Sequence, residues 1–287
     1  MFYAITISLC IFLFFFGAAV YSFLNVVIFR VPRGEEFIKT RSHCPGCGRV
    51  LTPLELVPVV SYICLGGKCK NCGSKIGLRD VSIEVFGGLS AIACVAIATY
   101  VKSGFLSLTD QWLGINFLVM IGLVELPLTN IIYSIMLKAL AYFCVICILT
   151  VISFISIDTG KFQTGTLITF AIIGVYGFFA MPKVELKDRL IALAGGVILC
   201  LLIGFLTKKK DLFACAVMAG IIGGLLGWRE LLVVAAAAVV LGCIVAILLL
   251  LTGNRKLEDR FKPIPILSVA IVIGMFFGTQ LANLMFL

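Results

Sequence analysis

Charge is what this sequence has least of. Only 13% of its 287 residues are charged, against about a quarter in soluble domains, while 62% are hydrophobic. That balance excludes a soluble domain, because so much apolar surface has to face lipid. Alternating apolar and polar segments of about ten residues are also missing, which excludes a membrane-spanning β-barrel. Too little polar chain remains for a soluble body on a single anchor. The first apolar stretch, Phe2 to Ile28, has no basic residues ahead of it and no small-residue cleavage site after it. It is therefore expected to be a retained first span and not a signal peptide.

What is present is a series of apolar runs of roughly 20 residues, each long enough to cross a hydrocarbon core of about 30 Å as a helix. They predict an all-α polytopic membrane protein with about eight transmembrane helices. The runs fall near 4–29, 81–101, 131–157, 164–181, 190–206, 212–227, 231–252 and 264–286. The organisation expected is a first helix over 1–29, a cytoplasmic zinc-binding loop domain over 30–80, and a helical membrane domain over 81–287. The stretch 103–130 has a short apolar run ending at Glu125 and reads as an extracytoplasmic interfacial or re-entrant insertion.

The net charge of +9 lies in the connections between spans, so it is a topological signal and not a nucleic-acid surface. The first connection carries Arg30, Arg33, Lys39, Arg41, Arg49, Lys68, Lys70, Lys75 and Arg79, which places it in the cytoplasm. Alternation then puts Lys208, Lys209 and Lys210 inside, together with Arg255, Lys256, Arg260 and Lys262. Asp158 and the segment 207–215 come to the same face as the loop domain.

Of twelve cysteines, eight are scattered and mostly lie within apolar runs, where they act as small hydrophobes. The other four form two knuckles, Cys44-Pro-Gly-Cys47 and Cys69-Lys-Asn-Cys72, separated by 21 residues. Tight C-x2-C turns present two sulfurs each to one tetrahedral ion, so Cys44, Cys47, Cys69 and Cys72 are expected to hold a structural zinc. A reducing cytoplasm argues against disulfides. The lone histidine, His43, adjoins Cys44, but four thiolates already complete the tetrahedron, so His43 is expected to face solvent or support the site from outside.

Five stretches occur in order: Tyr21-Ser-Phe-Leu-Asn-Val-Val-Ile-Phe-Arg30-Val-Pro32, Ser42-His-Cys-Pro-Gly-Cys47, Leu56-Val-Pro-Val-Val-Ser-Tyr62, Gly67-Lys-Cys-Lys-Asn-Cys72, then Arg79 with Glu84. In these the N-terminal third resembles the type IV prepilin peptidases, bifunctional membrane enzymes. Asp158, Gly223 to Trp228, Pro263 and Pro265 fall in register more loosely. The resemblance implies a bacterial inner-membrane aspartic peptidase that cuts prepilin or pseudopilin leaders after a glycine. It then methylates the new N-terminus with S-adenosylmethionine. Two neighbouring carboxylates share a proton in such a site, one activating water while the other holds the acid form.

Asp158, ending Phe154-Ile-Ser-Ile-Asp158, corresponds to the family's first catalytic aspartate. The Ile-Pro-Asp that often follows in the family is replaced around Thr164, Gly165 and Thr166. The second aspartate departs from the pattern, because Cys215 of Leu212-Phe-Ala-Cys215 occupies its position. Asp211, one helical turn earlier, is the nearest carboxylate. Either Asp211 serves as the second group, or the chain is an altered homologue that binds prepilins without cutting them. A transporter, the remaining rival, would show paired broken helices in related halves, and none is found.

Overall fold

The computed structural model describes residues 2–38, 41–103, 128–160, 163–180, 185–206, 210–251 and 262–285. The expected insertion at 103–130 falls almost wholly outside these, as do Lys39, Lys208, Lys209, Arg255, Lys256 and Arg260. The described residues are mostly helical, with α1 (Phe2–Arg30), α2 (Val60–Cys64), α3 (Leu78–Ser103), α4 (Leu128–Thr159) and α5 (Thr164–Ala180). These are followed by α6 (Leu186–Leu206), α7 (Lys210–Leu226), α8 (Trp228–Leu251) and α9 (Pro263–Met285). All but the short α2 coincide with the apolar runs read from the sequence. In α1, α3, α4, α8 and α9 the helices are long and apolar enough to cross a membrane.

The chain divides into two units, Met1–Phe143 and Cys144–Leu287. In the first, α1 and α3 pack antiparallel, since Asn25 meets Asp80, Tyr21 meets Phe86, and Gly17 meets Ala91. Small residues permit the approach: a Cβ on Gly87 would run into the Tyr21 ring, and one on Gly17 into the Gly87 carbonyl. Tyr21 is fully buried and also packs against Phe143 at 6.2 Å between ring centroids. On the outer side of α1, Ile7, Ile11, Phe12, Phe15 and Phe23 remain exposed. Such a face suits lipid as its solvent.

In the second unit, Gly196 and Gly220 bring the backbones of α6 and α7 into contact. Gly227, at φ +104, breaks the chain sharply between α7 and α8, a conformation open to glycine. Gly274 lies against Val234 and Gly278 against Glu230, which runs α8 and α9 antiparallel. Trp228 Nε1 donates to Asp188 Oδ1 at 3.0 Å and joins the starts of α6 and α8. One end of the unit therefore gathers Asp188, Trp228, Glu230 and Gly278. The other gathers the C-terminus of α4, the start of α7 and the start of α9.

Candidate functional site

The cysteine module is built from two copies of one local structure. Cys44 N–H donates to Arg49 O at 2.9 Å and Gly48 N–H to Cys44 O at 2.8 Å. Twenty-five residues on, Cys69 N–H donates to Ser74 O at 2.8 Å and Gly73 N–H to Cys69 O at 2.9 Å. Gly48 and Gly73 both have φ +70, the left-handed turn that lets each knuckle close. Outside them the chain pairs antiparallel, His43 with Val50 and Lys68 with Lys75.

The four sulfurs converge within 4.8 Å of one another, with Cys44 Sγ and Cys72 Sγ 3.8 Å apart. A tetrahedron with metal–sulfur bonds of about 2.3 Å has edges of about 3.8 Å, so the donor set fits zinc in number, chemistry and spacing. The Ser74 hydroxyl lies 3.4 Å from Cys44 Sγ and 3.2 Å from Cys72 Sγ. That hydroxyl, followed by the N–H groups of Cys47 and Gly46, lowers the Cys44 thiol to about 6, favouring the thiolate a metal requires. The Ser74 hydroxyl lowers Cys72 as well. His43 is exposed and points Nδ1 toward Arg41 O at 3.4 Å, outside the sulfur cluster.

Behind the first knuckle, Glu55 closes a capping box with Thr52 and pairs with Arg49. The Thr52 N–H, then Arg49 and the Thr52 hydroxyl, hold the Glu55 carboxyl down at about 2. The module contacts the membrane helices through one carboxylate of α3, Glu84, while a second, Asp80, ties α3 to α1 beneath it. Asn25 Nδ2 donates to Asp80 Oδ1 at 2.8 Å, and Val59 N–H donates to Glu84 Oε2 at 2.8 Å.

Val59 has φ +63 and ψ −49, and Val60 N–H reaches Pro58 O at 2.6 Å. This is the strained hand of γ-turn, rare for a β-branched residue and costing about 1–3 kcal/mol. Between the module, α1 and α3 lies a cavity of about 280 Å³ whose wall includes Asn25, Glu55, Tyr62, Asp80 and Glu84. The sequence singles out Asn25 and Glu84 only through resemblance, and Asp80 not at all.

In the second unit Asp158 stands exposed at the C-terminal end of α4. A carboxylate there opposes the helix dipole, by typically 0.3–1 kcal/mol, so helix stability does not explain it. Lys262 Nζ donates to Ser156 O at 2.9 Å and to Ile157 O at 2.6 Å, placing a cation on the same helix end. Its neighbour Pro263 lines an apolar cleft with Cys215, Gly242 and Leu267. The helix end bearing Asp158 and the cleft bearing Cys215 thus share the segment Lys262–Pro263. Asp211 is half-buried in the first turn of α7, where the dipole favours a carboxylate. In the sequence Lys262 reads only as a topological charge.

Residues 15–98 match the family described as the bacterial peptidase A24 N-terminal domain. A Bacillus subtilis (strain 168) protein named prepilin leader peptidase/N-methyltransferase is 31% identical over 231 residues, covering 72% of this chain and 90% of the relative. A protein of that name from Burkholderia pseudomallei (strain 1026b) is 25% identical over 92% of this chain and 84% of its own length. One from Myxococcus xanthus (strain DK1622) is 44% identical, but over 85 residues that make up 30% of this chain and 25% of the relative. No solved structure matches the chain.

Proposed function

Because the chain belongs to the prepilin leader peptidase/N-methyltransferase family, we propose that it removes the leader of type IV prepilins or pseudopilins after a glycine and then N-methylates the exposed amine. The observation that carries this reading is likeness along nine tenths of a full-length relative, joined to a four-thiol module that fits the ion the sequence calls for. The bilayer is the bacterial inner membrane, with the module on its cytoplasmic side.

Peptide hydrolysis falls to Asp158 and Asp211, one carboxylate accepting a proton from water while the other protonates the leaving amine. The shared segment at Lys262 and Pro263 supports a site at the ends of α4 and α7, level with the membrane face. There the soluble leader and the apolar pilin helix meet, and water can arrive. Zinc on Cys44, Cys47, Cys69 and Cys72 supplies cohesion to the module and takes no part in hydrolysis, since four thiolates leave no open position. S-adenosylmethionine supplies the methyl group. Asp80 and Glu84, on the wall of the cavity beneath the module, suit its sulfonium and ammonium charges.

A second reading is favoured by one observation, Cys215 at the place where the resemblance puts a carboxylate: the chain would hold prepilins without cutting them. Incubating the purified chain with a prepilin and S-adenosylmethionine and weighing the product separates the two. Loss of the leader mass followed by gain of one methyl supports the enzyme. An unaltered prepilin that co-purifies with the chain overturns it in favour of the binding protein.

A further inference from the structure

The segment between the knuckles carries an apolar surface that its own module leaves uncovered. Leu56 to Leu65 contains no charged residue, yet Ile63 is 70% exposed and Val60 39%, with Leu54 just before them at 82%. Its depth can be read from the helices. Val59 N–H is held by Glu84, and on the paired helix Glu84 stands between the level of Asn25, which meets Asp80, and that of Tyr21, which meets Phe86.

Those levels lie five to nine residues inside the end of α1 at Arg30, or roughly 8–13 Å along a helix rising about 1.5 Å per residue. α1 itself has 29 residues, so its length of about 43 Å exceeds a hydrocarbon core of about 30 Å by a similar amount. Glu84 and α2 therefore sit at the edge of the hydrocarbon region, while the chain returns from them to the knuckles.

We infer that α2 and its flanks are a membrane-interface element, seated with Val60 and Ile63 in the boundary between headgroups and acyl chains. The occupant of the exposed apolar face is the same bilayer that α1 and α3 cross, and the surface is continuous with theirs. Charge agrees with this: Lys68, Lys75 and Arg79 follow the element in sequence and suit anionic headgroups. The strained turn at Val59 and its bond to Glu84 hold the element at this depth. The inference rests on reading α1 and α3 as spans, and it stands whether or not the chain cleaves prepilins.

The test is tryptophan depth quenching in the full chain, using Ile63→Trp in nanodiscs of phosphatidylethanolamine and phosphatidylglycerol carrying bromine at shallow or deep acyl positions. The parent spectrum is subtracted for Trp112 and Trp228, and zinc content confirms that each variant keeps its knuckles. The expected result is blue-shifted emission quenched about twofold or more by shallow bromines, as for a side chain roughly 5–10 Å into the boundary. Lys70→Trp on the second knuckle should stay unquenched. Emission typical of water at position 63, without quenching, overturns the inference. Blue-shifted emission that no bromolipid quenches also overturns it and assigns the face to another polypeptide. Should Ile63→Trp lose zinc, Val60→Trp decides by the same readout.

Discussion

Replacing Glu84 tests how the module is fastened to the membrane helices. In the folded chain Glu84 Oε2 accepts the Val59 N–H at 2.8 Å, at a turn whose backbone is strained. A hydrogen bond to a charged group contributes about 1.5–3 kcal/mol, similar to the roughly 1–3 kcal/mol of strain it must hold down. The two nearly cancel, so the turn persists only while the carboxylate is present. Glu84→Ala removes the bond and leaves the strain.

The amides of Val59, Val60, Ser61 and Ile63 should then exchange about 10- to 150-fold faster, the equivalent of 1.5–3 kcal/mol of lost protection. Glu84→Gln keeps an acceptor without the charge and should fall between the two. Val59→Gly in the Glu84→Ala background should recover part of the protection, because glycine adopts positive φ without penalty. Hydrogen exchange with mass spectrometry on the full chain in detergent or nanodiscs reads all four amides. Unchanged exchange over 57–65 in Glu84→Ala would refute the reasoning, since the bond would then contribute nothing to holding the turn.

Purified chain should contain one zinc per molecule, and Cys47→Ser or chelation should expose the module to protease while helical circular dichroism persists; a helical bundle that collapses with the metal would contradict this. Asp158→Asn should lower leader cleavage by about 10²- to 10⁴-fold, the usual cost of a lost general acid or base. Asp211→Asn should do the same if Asp211 is the partner, whereas a gain of cleavage in Cys215→Asp would assign the second role to position 215. Glu55 is held at about 2 against an ordinary 4.5, so it binds a proton more readily unfolded than folded. Its stabilising effect is complete above pH 4.5 and declines as pH falls toward 2, so the stability advantage of the parent over Glu55→Gln should be flat above that window and shrink within it. Methyl transfer, read by product mass, should drop in Asp80→Asn with leader cleavage retained, because the charge removed lies on the module side.

Part of the site is legible in the residues alone. Ser42 to Leu51 and Gly67 to Ile76 repeat the same pattern twenty-five residues apart, and a repeat of that kind means two similar turns. What it does not reveal is that Ser74 replaces Arg49 at equivalent places. The hydroxyl sits against Cys44 and Cys72, while the longer guanidinium pairs with Glu55 and reaches Cys69 as well. The difference follows from side-chain reach, and reach matters only once the two knuckles face each other.

The sequence by itself determined the helical membrane class and the eight long helices of the described residues, because a bilayer demands internally bonded backbone over a set length and that demand is written locally, residue after residue. It also determined which thiols come in pairs, because a C-x2-C turn is a local geometry. Only the tertiary structure decided that Val59 meets Glu84, that Asn25 meets Asp80, and that Lys262 caps the helix ending in Asp158. Each of these joins residues from 25 to 106 positions apart, and such pairs are selected by how glycines such as Gly87 and Gly196 let helices approach. Apolar runs alike in composition carry no label for their neighbours; packing supplies it.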